Sequence, residues 1–309
     1  MFNFKSVKQL ITHFADEKTC WDYLEKQLWD GTPVCPHCGC TNVYRLENHK
    51  QFKCGNKKTC DQKFTVLVGT VYENTKLPLS TWFAAIFLAT SHKKGISSCQ
   101  LARDLGIKQP TAWHLLHRIR EMIKCASDVV LDKTIQIDET YVKGDAKNRH
   151  KRKRKLIAAG FIEDEPMTVL GMVENKGRLV LKSVPDAEGD TLKPVINANI
   201  TNKEAIIVTD GHMSYRAIAE EYGGHIIINH SKDEYVNGGY HTNGIEGAFS
   251  HFNRTIYGTY HFVSKKHIQR YCNLFSYRFS TRTMTEPQRF DDVTKKGKTT
   301  LTYDALTKK

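Results

Sequence analysis

The chain has 309 residues, 40% of them hydrophobic and 26% charged, with a formal net charge of +13. That length allows a sizeable core and two or three domains, while no stretch approaches the roughly 20 apolar residues of a membrane span. The N-terminus lacks the apolar core and cleavage site of a secretory signal, so a cytoplasmic protein is expected, and the positive excess favours a polyanionic partner such as nucleic acid.

Residues 1–30 read as two short helices. Val7, Leu10, Ile11 and Phe14 share one face of the first, and Trp21, Leu24 and Leu28 share one face of the second, which stops at Asp30-Gly31. Residues 31–75 change character and become turn-rich and cysteine-rich. The chain has nine cysteines, an odd count that argues against a disulfide framework, and five of them fall between positions 35 and 60. CPHC at 35–38 is followed by the strand-like NVYRL, then by Cys54 and Cys60, and KFTVLVGTVY reads as a closing strand. Two thiolate pairs separated by a hairpin are the plan of a zinc ribbon. Cys35, Cys38, Cys54 and Cys60 are the expected ligands of a structural Zn2+, with His37, Cys40 and His49 as possible substitutes for one of them.

Residues 76–130 are expected to be helical. TWFAAIFLATSHKK is apolar enough for a buried helix, Ser97 or Ser98 can cap a short one, and Gly106 breaks it. Pro110 then falls in the first turn of a second helix, whose apolar face is Ala112, Leu115, Leu116, Ile119, Met122 and Ile123. Two helices joined by a short glycine-containing turn suggest a helix-turn-helix, with Lys108, Gln109, Thr111, His114 and Arg118 facing double-stranded DNA. A plain helical hairpin is the alternative.

Residues 131–290 read as mixed α/β. TIQIDETYV, IAAGFI, MTVLGMVE, RLVLKSV, EAIIVTD and HIIINH suggest strands, and TLKPVINANI and SYRAIAEEYG suggest helices. A helical finish from GIEGAFSHF to RYCNLFSYRFS follows, giving a central mixed sheet flanked by helices. The run KNRHKRKRK is expected as a solvated loop or a phosphate-contacting arm, through Arg149, Lys151, Arg152, Lys153, Arg154 and Lys155. Residues 291–309 read as a polar tail.

Three acids stand out. Asp138 and Asp210 each follow a β-branched run, and Glu246 opens a helix. Brought together, three carboxylates could hold two Mg2+ or Mn2+ ions for attack on a phosphodiester. Each also has a plainer reading: Asp210-Gly211 as a turn, Asn243 with Glu246 as a capping box. Glu139 is a spare carboxylate beside Asp138.

The motifs CPHCG, CGNKKTCDQKFTVLVGT, KLPLSTWF, IQIDETYVKG, TDG at 209–211, HTNGIEGAFSHFNR and YGTYHFVSKKHIQRY resemble those of bacterial insertion-sequence transposases of the DDE class. In these an ISXO-like, ribonuclease-H-like catalytic domain follows an N-terminal zinc ribbon. The resemblance covers nearly the whole chain. It implies that Asp138 and Asp210 are the first two metal ligands and that the third is Asn243 or Glu246, with the carboxylate preferred as ligand and Asn243 as helix cap. The group's basic residue one to two turns on would fall at Asn253, a departure from the pattern, with Arg254, Lys265 or Lys266 nearby. The resemblance further implies a nucleoid-associated enzyme that binds terminal inverted repeats, cleaves transposon ends and joins 3′-hydroxyls to target DNA as a homodimer or larger assembly. A zinc-dependent DNA-binding regulator with an inactive catalytic fold, or a nuclease that cuts without joining, are the alternatives.

Overall fold

The computed structural model describes residues 4–48, 50–124, 130–143, 151–161, 166–175, 177–215, 218, 220–229 and 235–308. In chain order these form helices α1 (Val7–His13) and α2 (Glu17–Trp29), strands β1 (Val43–Arg45), β2 (Phe52–Cys54) and β3 (Lys63–Phe64), and helices α3 (Leu79–Ser91), α4 (Ser98–Leu105) and α5 (Gln109–Lys124). Strand β4 (Thr134–Val142), helix α6 (Lys151–Ala158), strands β5 (Met167–Glu174) and β6 (Leu179–Val184), helix α7 (Gly189–Asn199) and strands β7 (Ile206–Asp210) and β8 (Gly224–Ile228) follow. Then come α8 (Asn243–Thr255), which runs into a π-turn over Ile256–Tyr260, and helices α9 (Ile268–Ser280), α10 (Glu286–Lys295) and α11 (Tyr303–Thr307). The chain divides into two units, one of residues 1–126 with 281–309 and one of residues 127–280.

In the first unit, Ser6 and Asp16 cap α1 and α2 by accepting the N–H groups of Gln9 and Thr19. Phe4, Phe14, Tyr23, Phe83 and Phe290 pack ring against ring, with Phe14 and Phe83 4.7 Å apart. The chain end is therefore not a loose polar tail. α10 opens with a capping box of Thr285 and Gln288, and Leu301 and Leu306 are buried. Strands β1, β2 and β3 form a small antiparallel sheet. The long closing strand expected over KFTVLVGTVY is only Lys63–Phe64. Beyond it, Gly69 takes a left-handed φ of 71° and the chain proceeds by turns.

The second unit is an α/β layer structure with a five-stranded mixed sheet in the order β6-β5-β4-β7-β8. β4 lies at the centre, antiparallel to β5 and parallel to β7. One face packs Ile135, Ile137, Leu170 and Met172 against Leu192 and Ile196 of α7 and against Tyr215. The other packs Val169, Val173, Leu179 and Leu181 against Ile245, Phe249 and Phe252 of α8 and Cys272 and Phe275 of α9. The outer edge of β6 is closed by α9: Ser280, Ser276 and Gln269 accept the N–H groups of Leu179, Leu181 and Ser183.

Two expectations need correction. IAAGFI is not a strand. Its first residues end α6, because the preceding KRKRKL run consists of good helix formers and meets no breaker before Gly160 at φ 74°. The basic run is accordingly a helix from Lys151 onward rather than a loop, while Arg149 lies outside the described residues. Of the helix expected over SYRAIAEEYG, the described residues show a 3-10 turn at Met213–Tyr215 and helical Ile218, and residues 216, 217 and 219 lie outside the described residues.

Candidate active site and metal centre

The four cysteines converge as expected. The sulfurs of Cys35, Cys38, Cys54 and Cys60 all lie within 4.8 Å of one another. Cys35 and Cys60 are 3.7 Å apart and Cys38 and Cys54 3.5 Å. A tetrahedron with Zn–S bonds of about 2.3 Å needs sulfurs about 3.8 Å apart, so the set fits Zn2+. Gly39, at φ 72°, turns the first pair inward, and its N–H bonds to Cys35 O. The longer second loop closes through Cys60 N–H to Asn56 O. The Asn56 N–H favours the Cys54 thiolate, but burial and the three neighbouring thiols outweigh it and hold Cys54 at about 12. A cation at the centre reverses that balance. Cys40 Sγ faces Asn42 O and His37 stands edge-on to Phe64, so neither joins the set; His49 lies outside the described residues.

Helices α4 and α5 are joined through Gly106 at φ 64°, with Ser97 capping α4. Lys108, Gln109 and Thr111 at the start of α5 are exposed. His114 and Arg118 are not outward-facing. The Arg118 guanidinium lies 5.1 Å from the Trp82 ring and donates to Glu73 O at 2.7 Å. The His114 ring stands edge-on to Tyr303, and burial and then Arg118 hold its pKa below the usual value. Both flank the apolar stripe of α5 at i, i+4 spacing and are covered with it. On α6, Lys151, Arg152, Arg154 and Lys155 are exposed.

The acids meet on one face of the central sheet. β4 pairs with β7 in parallel through Gln136 and Val208, so Asp138 and Asp210, two residues on in each strand, stand side by side, Asp138 in the middle of β4 and Asp210 at the end of β7. Asp138 also lies opposite Gly171 of β5 and shares its face. A Cβ at Gly171 would come within 2.6 Å of the Phe249 ring and 2.7 Å of Ile245, so glycine lets α8 rest on that face. Gln136, buried in an apolar strand, accepts the Ile245 N–H at 2.9 Å and pins the first turn of α8 above the acids. Gly244 allows this approach, since its Cβ would meet the Gln136 side chain at 2.6 Å.

Each acid has one oxygen held by a local donor. Asp138 accepts the Glu139 N–H at 2.8 Å, Asp210 the His212 N–H at 3.0 Å, and Glu246 the Thr242 hydroxyl at 2.6 Å. Burial raises the Asp138 pKa; the Glu139 N–H opposes it, the charges of Glu139, Asp210 and Glu246 add to it, and the group reaches about 7. The three carboxylates remain farther apart than ligands of one ion. Among the described residues, the four cysteines form the cluster whose ligand atoms all lie within 4.8 Å. As a donor set, hard oxygens under mutual repulsion suit a divalent cation.

Asn243 is not the cap of α8. The N-cap position is Thr242, and Asn243 is an exposed first helical residue on the same side as exposed Glu246. Glu139 points to the opposite face, where the hydroxyl of buried Tyr215 donates to it. Asn253 donates to Thr140 Oγ1 at 3.3 Å, whereas Arg254 is exposed. Gln136, Gly171, Gly244 and Thr242 were not expected as site residues; a lone glutamine inside TIQID was the readable signal for the first.

Residues 130–280 match the ISXO2-like transposase domain, a span that holds Asp138, Asp210, Asn243 and Glu246. Residues 15–63 match the transposase zinc-ribbon domain, a span that holds all four clustered cysteines. A relative from Halobacterium salinarum, described as an uncharacterized protein in transposable element ISH50, is 27% identical over 278 residues, or 87% of this chain and 92% of its own length. No helix among the described residues is long and apolar enough to cross a membrane.

Proposed function

Because the chain belongs to the insertion-sequence transposases that carry a zinc ribbon and an ISXO2-like domain, we propose that it is a DDE-type transposase that binds terminal inverted repeats, cleaves transposon ends and joins the 3′-hydroxyls to target DNA. The observation that carries this reading is the in-register placement of Asp138 and Asp210 on neighbouring parallel strands, beneath the first turn of the helix bearing Glu246. In it the second unit is ribonuclease-H-like, and α4 and α5 act as a helix-turn-helix. Asp138, Asp210 and Glu246 would hold two Mg2+ or Mn2+ ions, which when bound activate the attacking oxygen and stabilise the leaving one. The donors from Glu139, His212 and Thr242 orient one oxygen of each acid. Glu246 is the third ligand in preference to Asn243, because a carboxylate binds such ions better than an amide.

Lys108, Gln109 and Thr111 face the major groove from the exposed start of α5, while His114 and Arg118 are withdrawn from that role by their packing. The basic run, with Lys151, Arg152, Arg154 and Lys155 exposed on α6, neutralises phosphates. Arg254 supplies the positive charge that Asn253 does not. Two ends react together in a homodimer or larger assembly.

The test is an assay with labelled terminal repeats, Mg2+ and a target plasmid. Wild type gives joined product, and Asp138→Ala or Asp210→Ala gives neither cutting nor joining but still shifts the end in a gel. Full strand transfer by either variant refutes the site. Cutting without joining would make the protein a hydrolytic nuclease, and binding without cutting a regulator.

A further inference from the structure

We propose that Tyr257 is a stacking post for a DNA base displaced from the duplex near the reacting phosphodiester, and that Ser250 and Arg254 lead the backbone of the same strand to it. This rests on the transposase reading of the acid site. Glu246, Ser250, Arg254 and Tyr257 are all exposed. Steps of four, four and three residues keep them on one side of the helix. The stripe therefore runs from a carboxylate through a hydroxyl and a guanidinium to a phenol ring.

Its course is fixed against β4. Gln136 holds Ile245, Thr140 receives the Asn253 amide, and the Tyr257 hydroxyl accepts the N–H of Lys143, just past the end of the strand, at 3.2 Å. That last bond anchors the ring by its oxygen while the residue stays 41% exposed. The backbone at this point is irregular. The π-turn over Ile256–Tyr260 ends at His261, at φ 59°, whose ring Nδ1 lies 2.9 Å from Tyr257 O.

The charge of the segment that carries the ring selects the occupant. Within the second unit, from Gly247 to Ser280, the sequence has no Asp or Glu and five Lys or Arg, of which Arg278 is buried. An exposed aromatic in an acid-free, basic segment is the combination that holds single-stranded nucleic acid, with the ring taking a base and the cations the phosphates. At 1.5 Å per residue, Tyr257 lies about 16 Å along the helix from Glu246. That is roughly five nucleotides of stacked strand at about 3.4 Å each, and fewer if the strand is stretched.

The experiment uses the full chain and terminal-repeat duplexes carrying the fluorescent base 2-aminopurine at successive positions from about three to six nucleotides beyond the cleavage site. Wild type is expected to change the fluorescence of one position on binding. Tyr257→Ala should lose that change and cut about ten- to hundredfold more slowly, with the thermal melt of the protein little altered. Tyr257→Phe keeps the ring and loses the bond to Lys143, and should restore both signals. If Phe behaves like Ala, the hydroxyl tie is what matters and stacking is overturned. If Ala cuts like wild type with unchanged fluorescence, the inference is also overturned while the transposase reading stands. Failure of wild type to cut at all would instead count against that underlying reading.

Discussion

At the scale of single residues, the acid site is a place where folding and charge oppose each other. Asp138 is held at about 7 by burial and by the carboxylates around it, against about 3.9 for an unfolded aspartate. Between those values the folded chain keeps a proton that the unfolded chain has lost, so stability falls as pH rises from about 4 to about 7 and then levels off. Asp138→Asn is neutral at every pH. In buffer without added divalent cation, it should melt above wild type at pH 8, and the gap should close as the pH approaches 4. Added Mg2+ should raise the wild-type midpoint at pH 8 and leave the variant unmoved, because a ligand stabilises the state that binds it. Equal melting of the two proteins at pH 8 would remove Asp138 from the buried, acid-crowded position. Gly171 is a second single-residue determinant. A methyl there would meet Phe249 and Ile245 at 2.6 and 2.7 Å, and backing α8 off the sheet should cost about 1–3 kcal/mol. A denaturant melt of Gly171→Ala that matches wild type would mean that α8 does not sit against β5 as described.

At the scale of elements, legibility followed locality. Strands β4 and β7 announced themselves by β-branched runs ending in aspartate, and the cysteine pairs by their spacing, because each pattern lies within a few neighbouring residues. The orientation of α5 was not local. His114 and Arg118 are covered by Tyr303, Glu73 and Trp82, contacts that helical periodicity cannot foresee. Nor was the seat of α8, which depends on Gly171 lying opposite Asp138 in a pairing that no short motif encodes. Charge in the KRKRKL run argues for exposure and not against a helix, so composition alone does not separate a loop from α6. The zinc ribbon makes the clearest element-scale prediction. Its sheet joins three residues to three and then two to two, too little to fold unaided. Tetrathiolate zinc supplies roughly 10–16 kcal/mol in small domains. Cys54→Ser should therefore lose bound zinc, measured by metal analysis, and expose residues 35–64 to proteolysis, while the transition of the second unit stays where it was. Retention of one zinc per chain by the variant would point to Cys40 or a histidine as a ligand.

On the scale of the whole molecule, the chain order interrupts the first unit with the second. Residues 127–280 are inserted between the N-terminal segment and the C-terminal segment that completes its core. The joining contacts are specific. Phe290 packs on Phe4, Phe14, Tyr23 and Phe83, Asp291 accepts the Tyr23 hydroxyl at 2.6 Å, and Val71 N–H bonds to Gly297 O at 2.9 Å. A chain ended at residue 280, where the matched transposase domain and the second unit both end, therefore keeps the second unit whole and leaves the core of the first incomplete. Phe290→Ala should cost the first unit about 3–5 kcal/mol. Two calorimetric transitions are expected for the wild type, and the variant should lower only the one that belongs to the first unit. A chain ending at Ser280 should lose that transition altogether and with it the ability to shift a terminal-repeat duplex, while residues 127–280 still melt cooperatively. A truncated chain that keeps both transitions would mean that the aromatic cluster is filled without Phe290, and that the two segments of the first unit fold independently of each other.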